Sequence, residues 1–400
     1  MSATYESIKE RNEKVLMRTY GRYPLAIARA KGARLYDFDG KEYVDLLAGI
    51  AVCGLGHCRP ELAQVMAEQA EKLVHVSNLF YQEEQVVLAE KLLATCQADK
   101  VFLCNSGAEA NEGAIKLARR YMARVRGSAA RDILTLEGSF HGRTLATLTA
   151  TAQTGKIKDG FGPLPEGFRS VPFGDVCALR AAVNENTAAV MVEMIQGEGG
   201  VRPLPAEYVD ALLALRREKD FLIIVDEVQT GMGRTGRFWA HEHFGLAPDI
   251  FTTAKGLANG LPMGAVMATD EAARGFEPGA HASTFGGGGV LSAVAAKTID
   301  IIREERLVER AAELGAFFQE EARKLLTKHP DKIVHVRGLG LLLGIELAAP
   351  GQDVWRALLD AGFVCNLTHE KVLRLVPPLT IAREDLSAFL AALDGILGRA

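Results

Sequence analysis

An aspartate and a lysine that could work together follow two short predicted strands near the middle of the chain. Asp226 comes directly after the five apolar residues 221–225, and Lys255 comes after a second short strand at 250–254. An apolar run of the first kind predicts a strand that is buried on both faces of a parallel sheet. Because open α/β sheets bind ligands at the carboxyl ends of their strands, we expect both side chains at a binding edge. The pattern by itself leaves two interpretations open, a structural ion pair or the two fixed points of a cofactor.

Pyridoxal phosphate is a cofactor that needs this combination of residues. Its aldehyde binds a lysine amine, and a carboxylate keeps its pyridine nitrogen protonated so that the ring can accept electrons. Lys255 and Asp226 would supply these two groups. Gln229 could donate a hydrogen bond to the phenolic oxygen of the ring, and the apolar Val228 could lie against one ring face.

The sequence around the pair resembles the class III, ornithine-type, pyridoxal-phosphate aminotransferases. The similarity is carried by DEVQTGMGRTG, residues 226–236, and by AKGLANGLPMGA, residues 254–265, and it extends over nearly the whole chain. It implies an α/β fold of pyridoxal-phosphate transferase type I, similar to aspartate aminotransferase, in which a large domain with a mostly parallel central sheet accompanies a small α/β domain. The implied divisions are an N-terminal arm and meander at 1–55 that belong to the small domain, a large cofactor-binding domain at 56–290, and an interdomain helix with the rest of the small domain at 291–400.

A candidate phosphate site follows the predicted strand at 101–105. The apolar spacing after this strand predicts a helix, with Ser106, Gly107 and Ala108 at its N-terminus. Unpaired backbone N–H groups and the helix dipole favour an anion there. The pattern is common at strand-to-helix junctions, and the resemblance is what implies that it holds the cofactor phosphate. The family commonly has threonine at position 108, so the alanine removes one hydroxyl.

Further residues are candidates for binding the ring and the substrate. Phe140 could stack on the ring face opposite the valine, and Arg143 could grip a carboxylate with its bidentate fork. The ordinary alternative for Arg143 is a surface position, so its role depends chiefly on the resemblance. The resemblance also implies that Glu198 pairs with Arg374 and thereby masks or frees this arginine as different substrates enter. Glu193, at the end of another predicted strand, should approach the same sheet edge.

A third group of candidates implies a second subunit. Ser283 and Thr284 precede four glycines and match family positions that contact the substrate and the cofactor phosphate across a dimer interface. We therefore expect a homodimer with shared active sites. Asn78, Phe80 and Tyr81 are candidates for a wall of the substrate site, with ordinary loop packing as the alternative.

Within the class, the sequence is most similar to the acetylornithine aminotransferases. The implied reaction passes the δ-amino group of N2-acetyl-L-ornithine to 2-oxoglutarate and yields glutamate, as in arginine biosynthesis. Enzymes for ornithine, succinylornithine, succinyldiaminopimelate or 4-aminobutyrate share this site and stay open as alternatives. So does an aminomutase on the same fold, which would not need 2-oxoglutarate. A non-catalytic binding protein is disfavoured because Lys255, Asp226, Gln229 and Arg143 are all present.

Composition excludes several other classes of protein. The chain has 400 residues, of which 48% are hydrophobic and 24% charged, with a net charge of -4, and this argues against a nucleic-acid or membrane partner. No apolar run approaches the ~20 residues that span a bilayer, and the charged N-terminal stretch does not resemble a secretory signal. We therefore expect a cytoplasmic enzyme. We expect no metal at His241, Glu242 and His243. We expect reduced thiols at all six cysteines, which are Cys53, Cys58, Cys96, Cys104, Cys177 and Cys365.

Overall fold

The computed structural model describes residues 4–153 and 155–399 of the chain. Its helices are α1 (Tyr5–Val15), α2 (Ala48–Ala51), α3 (Pro60–Lys72), α4 (Glu83–Leu93), α5 (Gly107–Arg124), α6 (Leu145–Ala150), α7 (Val176–Ala182), α8 (Ala206–Glu218), α9 (Asp270–Ala273), α10 (Gly289–Glu304), α11 (Leu307–Lys328), α12 (Gln352–Asp360) and α13 (Arg383–Leu397). Short 3₁₀ helices cover Ala240–Phe244 and Lys255–Ala258.

The strands form one large sheet and several smaller ones. They are β1 (Ile27–Lys31), β2 (Arg34–Asp37), β3 (Glu42–Asp45), β4 (Lys100–Cys104), β5 (Asp132–Leu136), β6 (Phe168–Val171), β7 (Thr187–Val192), β8 (Ile195–Gln196), β9 (Arg202–Pro203), β10 (Leu222–Asp226), β11 (Ile250–Thr253), β12 (Gly264–Ala268), β13 (Ile333–Leu339), β14 (Leu342–Leu347), β15 (Phe363–Val364), β16 (Asn366–Thr368) and β17 (Val372–Leu375).

The large sheet contains seven strands in the order β4, β12, β11, β10, β7, β5 and β6. Only β12 runs against its neighbours, so the sheet is mostly parallel. Asp226 is the last residue of β10, and Lys255 follows the parallel neighbour β11. The predicted α/β fold class is therefore confirmed, and both residues lie at the same carboxyl edge of the sheet.

Strand β10 is apolar because it is buried on both faces. Ile223 and Val225 point into one hydrophobic core, while Leu222 and Ile224 belong to a second core under helix α5. The alternation follows from the two-residue period of a strand. Helix α5 covers the second core with residues at helical spacing, namely Ala110, Ala114, Leu117, Ala118 and Tyr121. The apolar pattern of the sequence thus fixes both the strand and the helix that frame the site.

Two small sheets bring the ends of the chain together. The predicted N-terminal meander forms β1, β2 and β3, and β15 from the C-terminal part adds to it parallel to β3. Strands β13, β14, β17 and β16 form an antiparallel sheet, and this sheet carries Arg374 on β17. The arginine predicted to bind substrate therefore comes from a different sheet than Asp226 and Lys255.

After Phe285 the chain forms two helices, α10 and α11, which are separated where Arg306 adopts a left-handed φ of 51°. Gly289 is the first residue of α10, so three of the four consecutive glycines lie in the preceding loop. None of the helices within the described residues is long and apolar enough to cross a membrane.

Candidate active site

A cavity of about 490 Å³ lies at the carboxyl edge of β10 and β11. Most of the predicted cofactor and substrate residues line it, together with Asn111, His141 and Glu193. The predicted residues on its wall are Ser106, Gly107, Ala108, Phe140, Arg143, Glu198, Asp226, Val228, Gln229 and Lys255. Segments far apart in the sequence therefore meet at one site, and this sheet edge is where ligands of α/β folds bind.

Asp226 is the most firmly held polar group of the cavity. Its Oδ2 accepts hydrogen bonds from Asn111 Nδ2 at 2.7 Å and from His141 Nδ1 at 2.8 Å. Its Oδ1 accepts the backbone N–H of Val228 at 3.0 Å. Each carboxylate oxygen can accept about two hydrogen bonds, so Oδ1 keeps capacity for one more donor.

Sequence reasoning missed Asn111 and His141, which hold this carboxylate. The Asn111 amide also donates to His141 O at 2.7 Å and accepts from Thr252 Oγ1 at 2.7 Å. Burial opposes protonation of His141, but the hydrogen bond and charge of Asp226 outweigh it and raise the pKa of His141. One signal could have found Asn111, because it lies next to Ala110 on the apolar face of α5, and buried polar groups need partners.

The start of α5 forms an open anion site. Ser106 is its N-cap, and its Oγ accepts the Glu109 N–H at 3.2 Å. Within the described residues, the N–H groups of Gly107 and Ala108 donate to no protein acceptor. A Cβ on Gly107 would lie 2.7 Å from Val228 Cγ1, so only glycine lets this valine pack against the helix end. These free donors and the helix dipole suit a phosphate.

Lys255 is the unpaired amine of the site. In the part of the chain that the structure describes, its Nζ forms neither a hydrogen bond nor an ion pair, although the residue is partly buried on the cavity wall. Burial lowers the pKa of Lys255, and the opposing charges of Glu198 and Asp226 do not cancel this effect. The residue also has a left-handed φ of 41°, a strained conformation of the kind found at functional sites.

These groups fit pyridoxal phosphate. The unpaired N–H groups at the start of α5 suit its phosphate, and Asp226 Oδ1 has capacity for the pyridine N–H. The partly buried side chains of Phe140 and Val228 offer apolar surfaces to a ring, and the Lys255 amine is free to bind an aldehyde.

Behind the cavity, Arg374 is paired with Glu198. Arg374 is 1% exposed, and its Nη1 donates to Glu198 Oε1 at 2.6 Å and to Gln229 Oε1 at 3.3 Å. Burial alone would raise the pKa of Glu198, but the charges of Arg374 and Lys255 outweigh it and lower this pKa. A Cβ on Gly197 would lie 1.9 Å from Gln229 Oε1, so this glycine makes room for the amide.

Arg143 lines the cavity but belongs to an exposed loop. Its guanidinium carbon lies 5.3 Å from the ring centroid of Phe140. No carboxylate of the described residues pairs with it, so its fork is available to a ligand. The predicted role in substrate binding is compatible with this position and stays a prediction.

Ser283, Thr284 and Tyr81 do not line the cavity of their own chain. The Ser283 Oγ accepts from Asn105 Nδ2 at 3.2 Å and from the Gly286 N–H at 2.9 Å. Thr284 is exposed, and Tyr81 is exposed over its full surface, at 104%. Any role of Thr284 and Tyr81 at an active site therefore requires another chain.

The structure also gives the surroundings of Asn78, Phe80 and His241. Asn78 holds a distant loop of its own chain, since its amide donates to the carbonyls of Ser283 and Gly286, while Phe80 is 61% exposed. His241 is buried and donates its backbone N–H to Glu227 Oε1, with its Nδ1 also 2.9 Å from that oxygen. It is thus part of a structural pair, and no cluster of three metal-binding side chains occurs within residues 4–153 and 155–399.

Comparison with known proteins identifies the family. A family model described as "Aminotransferase class-III" matches residues 15–397. The chain is a class III aminotransferase. It is 44% identical over 384 residues to the acetylornithine aminotransferase of Methanocaldococcus jannaschii, covering 96% of each chain. It is also 44% identical over 379 residues to that of Bacillus subtilis, covering 94% of this chain and 96% of the relative.

Solved structures agree with this class. The acetylornithine aminotransferase from Elizabethkingia anophelis has a TM-score of 0.89 at 35% identity and covers 99% of this chain and 100% of its own. An ornithine aminotransferase from Toxoplasma gondii, whose structure shows partial occupancy of pyridoxal phosphate at the active site, has a TM-score of 0.95 at 33% identity, covering 100% and 95%. This class III aminotransferase is a transaminase that uses pyridoxal phosphate.

Glu193 gives the cavity a pH-dependent group. Its side chain is buried, with Oε2 accepting the Phe140 N–H at 3.0 Å. Burial raises the pKa of Glu193 to about 7, well above the value of a free glutamate. The raised pKa means that the folded state favours the protonated carboxyl group. Its contribution to the free energy of unfolding is complete below the pKa that the group has in the unfolded chain, and it is lost as pH rises through the pKa that the group has in the folded protein.

We therefore predict that the difference in free energy of unfolding between Glu193→Gln and the wild type changes with pH. This difference should favour the variant more at pH 8 than at pH 5. The neutral amide avoids the cost of a buried charge, which we expect to be roughly 1–3 kcal/mol because one pKa unit corresponds to about 1.4 kcal/mol. Urea unfolding at both pH values measures this difference. The exposed Glu185→Gln serves as a control, and a stability difference for Glu193→Gln that does not change with pH would contradict the prediction.

Proposed function

We propose that this aminotransferase moves the δ-amino group of N2-acetyl-L-ornithine to 2-oxoglutarate and works in arginine biosynthesis. The observation that carries the proposal is the Glu198–Arg374 pair beside a cavity that also contains an unpaired arginine, Arg143. A site of this kind can serve a donor with one carboxylate and an acceptor with two. Relatives that are named acetylornithine aminotransferase and match over nearly the full length support this choice of donor.

In this proposal the protein positions the cofactor and controls protons. Bound pyridoxal phosphate supplies an aldehyde that takes up the amino group and a ring that takes up electrons. Asp226 would hold the proton at the ring nitrogen, and Gln229 would donate to the phenolic oxygen. Lys255 Nζ would take the proton from the donor carbon that bears the amino group and pass it to the cofactor. With the acceptor it would carry a proton the other way, to the keto carbon of 2-oxoglutarate, and its lowered pKa is suitable for this work.

Two arginines share the recognition of carboxylates. Arg143 binds the carboxylate that donor and acceptor have in common. Arg374 binds the second carboxylate of 2-oxoglutarate or glutamate, after this carboxylate displaces Glu198 from Nη1. With the monocarboxylate donor, Glu198 stays on Arg374 and neutralises it. One site can then accept both substrates in turn without leaving a buried charge unpaired.

We also propose that the enzyme is a homodimer with shared active sites. Phe80, Tyr81 and Phe285 are exposed by 61%, 104% and 64%, which is unusual for large apolar side chains. Thr284 lies beside Phe285 and is exposed as well, so a neighbouring chain could receive it at its cofactor phosphate. The same interface would place Ser283 and Tyr81 near the substrate of the partner.

Two further proposals concern organisation and location. Residues 56–290 would form the large domain, while 1–55 and 291–400 together form the small one, in line with the pairing of β15 with β3. A cytoplasmic location is supported by the six cysteines, which are all free thiols.

A panel of donors tests the proposed reaction. The purified enzyme with 2-oxoglutarate should use N2-acetylornithine with a higher kcat/KM than ornithine, succinylornithine, succinyldiaminopimelate or 4-aminobutyrate. Glutamate should form in proportion to the donor consumed. Another donor with the highest kcat/KM would replace acetylornithine in the proposal, and turnover without 2-oxoglutarate would point to an aminomutase.

The division between the arginines predicts different losses in the two half-reactions. Arg374→Ala should slow the half-reaction with glutamate or 2-oxoglutarate by one to two orders of magnitude, since a charge-assisted hydrogen bond contributes roughly 1.5–3 kcal/mol. It should leave the acetylornithine half-reaction nearly unchanged, whereas Arg143→Ala should impair both. Single-turnover absorbance measures each half-reaction, with the exposed Arg323→Ala as a control. Equal losses for Arg374→Ala in both half-reactions would refute the division.

A shared site predicts complementation between two inactive variants. Lys255→Ala and Thr284→Trp should regain activity when they are mixed, dissociated and reassembled. A hybrid dimer then carries both lesions in one site and none in the other, so up to half of the hybrid sites should recover. If Thr284 served the cofactor of its own chain, every hybrid site would carry one lesion and no activity would return.

A further inference from the structure

Arg374 has a second anchor besides Glu198. In the sheet of β13, β14, β17 and β16, Asn366 on β16 lies directly across from Arg374 on β17. The amide oxygen Oδ1 of Asn366 accepts a hydrogen bond from Arg374 Nη2 at 2.7 Å. The two terminal nitrogens of the guanidinium are thus held by different partners: Nη1 by the ionised Glu198 and, at a longer distance, by Gln229, and Nη2 by the neutral Asn366.

A chain of hydrogen bonds fixes which end of the amide faces Arg374. The Tyr23 hydroxyl donates to the carbonyl oxygen of Cys365 at 3.2 Å. Its proton is therefore used, and its oxygen accepts from Asn366 Nδ2 at 3.1 Å. Because the nitrogen of the amide is turned towards Tyr23, its oxygen must face Arg374.

The tyrosine at the end of this chain is itself held firmly. Its ring contacts the edge of Trp355 at a centroid distance of 4.8 Å, and Trp355 Nε1 donates to the same Cys365 carbonyl at 3.0 Å. Burial raises the pKa of Tyr23, so the hydroxyl keeps its proton. The N-terminal segment before β1 thereby contributes to the order of a site that is far away in the sequence.

This arrangement matters at the moment when Glu198 leaves Arg374. Once a substrate carboxylate takes the place of Glu198, the longer contact of 3.3 Å with Gln229 Oε1 is the protein hydrogen bond that Nη1 keeps among the described residues. Arg374 Nε has no hydrogen-bond partner among the described residues and provides no further anchor. Asn366 continues to hold Nη2, and because it is neutral it leaves the positive charge of the guanidinium available to the substrate.

We propose that Asn366, oriented by Tyr23, is a positioning residue that keeps Arg374 ready for the second carboxylate of a dicarboxylate substrate. The inference depends on the proposed function, in which Arg374 recognises that carboxylate. It adds a residue that would favour a dicarboxylate as the substrate that accepts the amino group, without contacting the reacting atoms. A merely structural Asn366 would affect all ligands equally, and this difference makes the proposal testable.

Binding of two unreactive acids to the holoenzyme provides the test. Glutarate has the length and both carboxylates of 2-oxoglutarate but no keto group, and pentanoate has one carboxylate fewer. Calorimetric titration should show that the wild type binds glutarate at least tenfold more tightly than pentanoate. Asn366→Leu should lose about tenfold in glutarate affinity and change pentanoate affinity by less than twofold.

Asn366→Asp tests whether the hydrogen-bond partner of Arg374 Nη2 must be neutral. The aspartate would still accept from Nη2, but its charge would neutralise Arg374 and compete with the substrate. We therefore expect it to weaken glutarate binding as well, by tenfold or more. Glutarate binding as tight as that of the wild type in this variant would overturn the idea that a neutral partner is required.

Tyr23→Phe tests the orienting step with a change of one atom. Without the hydroxyl the amide is free to turn, so glutarate affinity should fall between twofold and tenfold. The same change should have no further effect in an Asn366→Leu background, because it acts through that amide. The control is Tyr121→Phe, which removes the hydroxyl bonded to Glu271 at 2.9 Å, outside the cavity, and should leave both affinities unchanged. An equal loss for Tyr23→Phe in both backgrounds would contradict the proposed chain.

Arg374→Ala distinguishes failure of this inference from failure of the proposed function. If the wild type does not prefer glutarate, or if Arg374→Ala keeps that preference, the proposed role of Arg374 is wrong. If Arg374→Ala loses the preference while Asn366→Leu and Tyr23→Phe retain it, only the positioning role is overturned.

Discussion

The buried carboxylate of Asp226 is the constraint on which the rest of the site depends. A carboxylate at the carboxyl end of a buried strand is costly unless donors surround it, and here Asn111, His141 and the N–H of Val228 do so. The same turn that supplies this N–H presents the Val228 side chain against Gly107 at the start of α5. One local geometry therefore sets the carboxylate, an apolar wall and the anion site relative to each other.

Arg374 reaches Glu198 at the back of the cavity from a second sheet, which must be held against the first. Arg337 on β13 donates from Nε to the carbonyls of Gly200 and Val201, both at 3.0 Å, and also pairs with Glu346. This contact fixes the loop that carries Glu198 to the sheet that carries Arg374. The alternation that we propose between masked and free Arg374 would therefore require a change of hydrogen-bond partners and no movement of the two sheets.

Local patterns in the sequence were sufficient to predict the frame of the site. The apolar run before Asp226 is strand β10, the second short strand predicted before Lys255 is β11, and the helical spacing after residue 106 is α5. These elements are predictable because burial leaves a pattern in the sequence. A strand that is buried on both faces reads as a continuous apolar run, and a helix that is buried along one stripe has apolar residues at helical spacing. The family resemblance added the pairing of Glu198 with Arg374, which spacing could not have shown.

Contacts between distant segments left no such signal. Asn366 and Tyr23 are separated by more than three hundred residues, and neither belongs to a motif that marks its partner. The surrounding fold also imposes left-handed backbone conformations on Lys255 and Ile50, with φ of 41° and 65°. Residues other than glycine rarely adopt such angles, so the sequence does not predict them. Thr284 is a different case, since a single chain leaves it exposed and its predicted role requires a second subunit.

The protonation of the cofactor ring tests the central role of Asp226 most directly. Holoenzyme loaded with ¹⁵N-labelled pyridoxal phosphate can be examined by NMR between pH 6 and pH 9, in the wild type and in Asp226→Ala. If Asp226 holds the proton, the wild type should keep the chemical shift of a protonated ring nitrogen over this range, and the variant should show that of the deprotonated form at high pH. The same shift in both proteins at every pH would contradict the account.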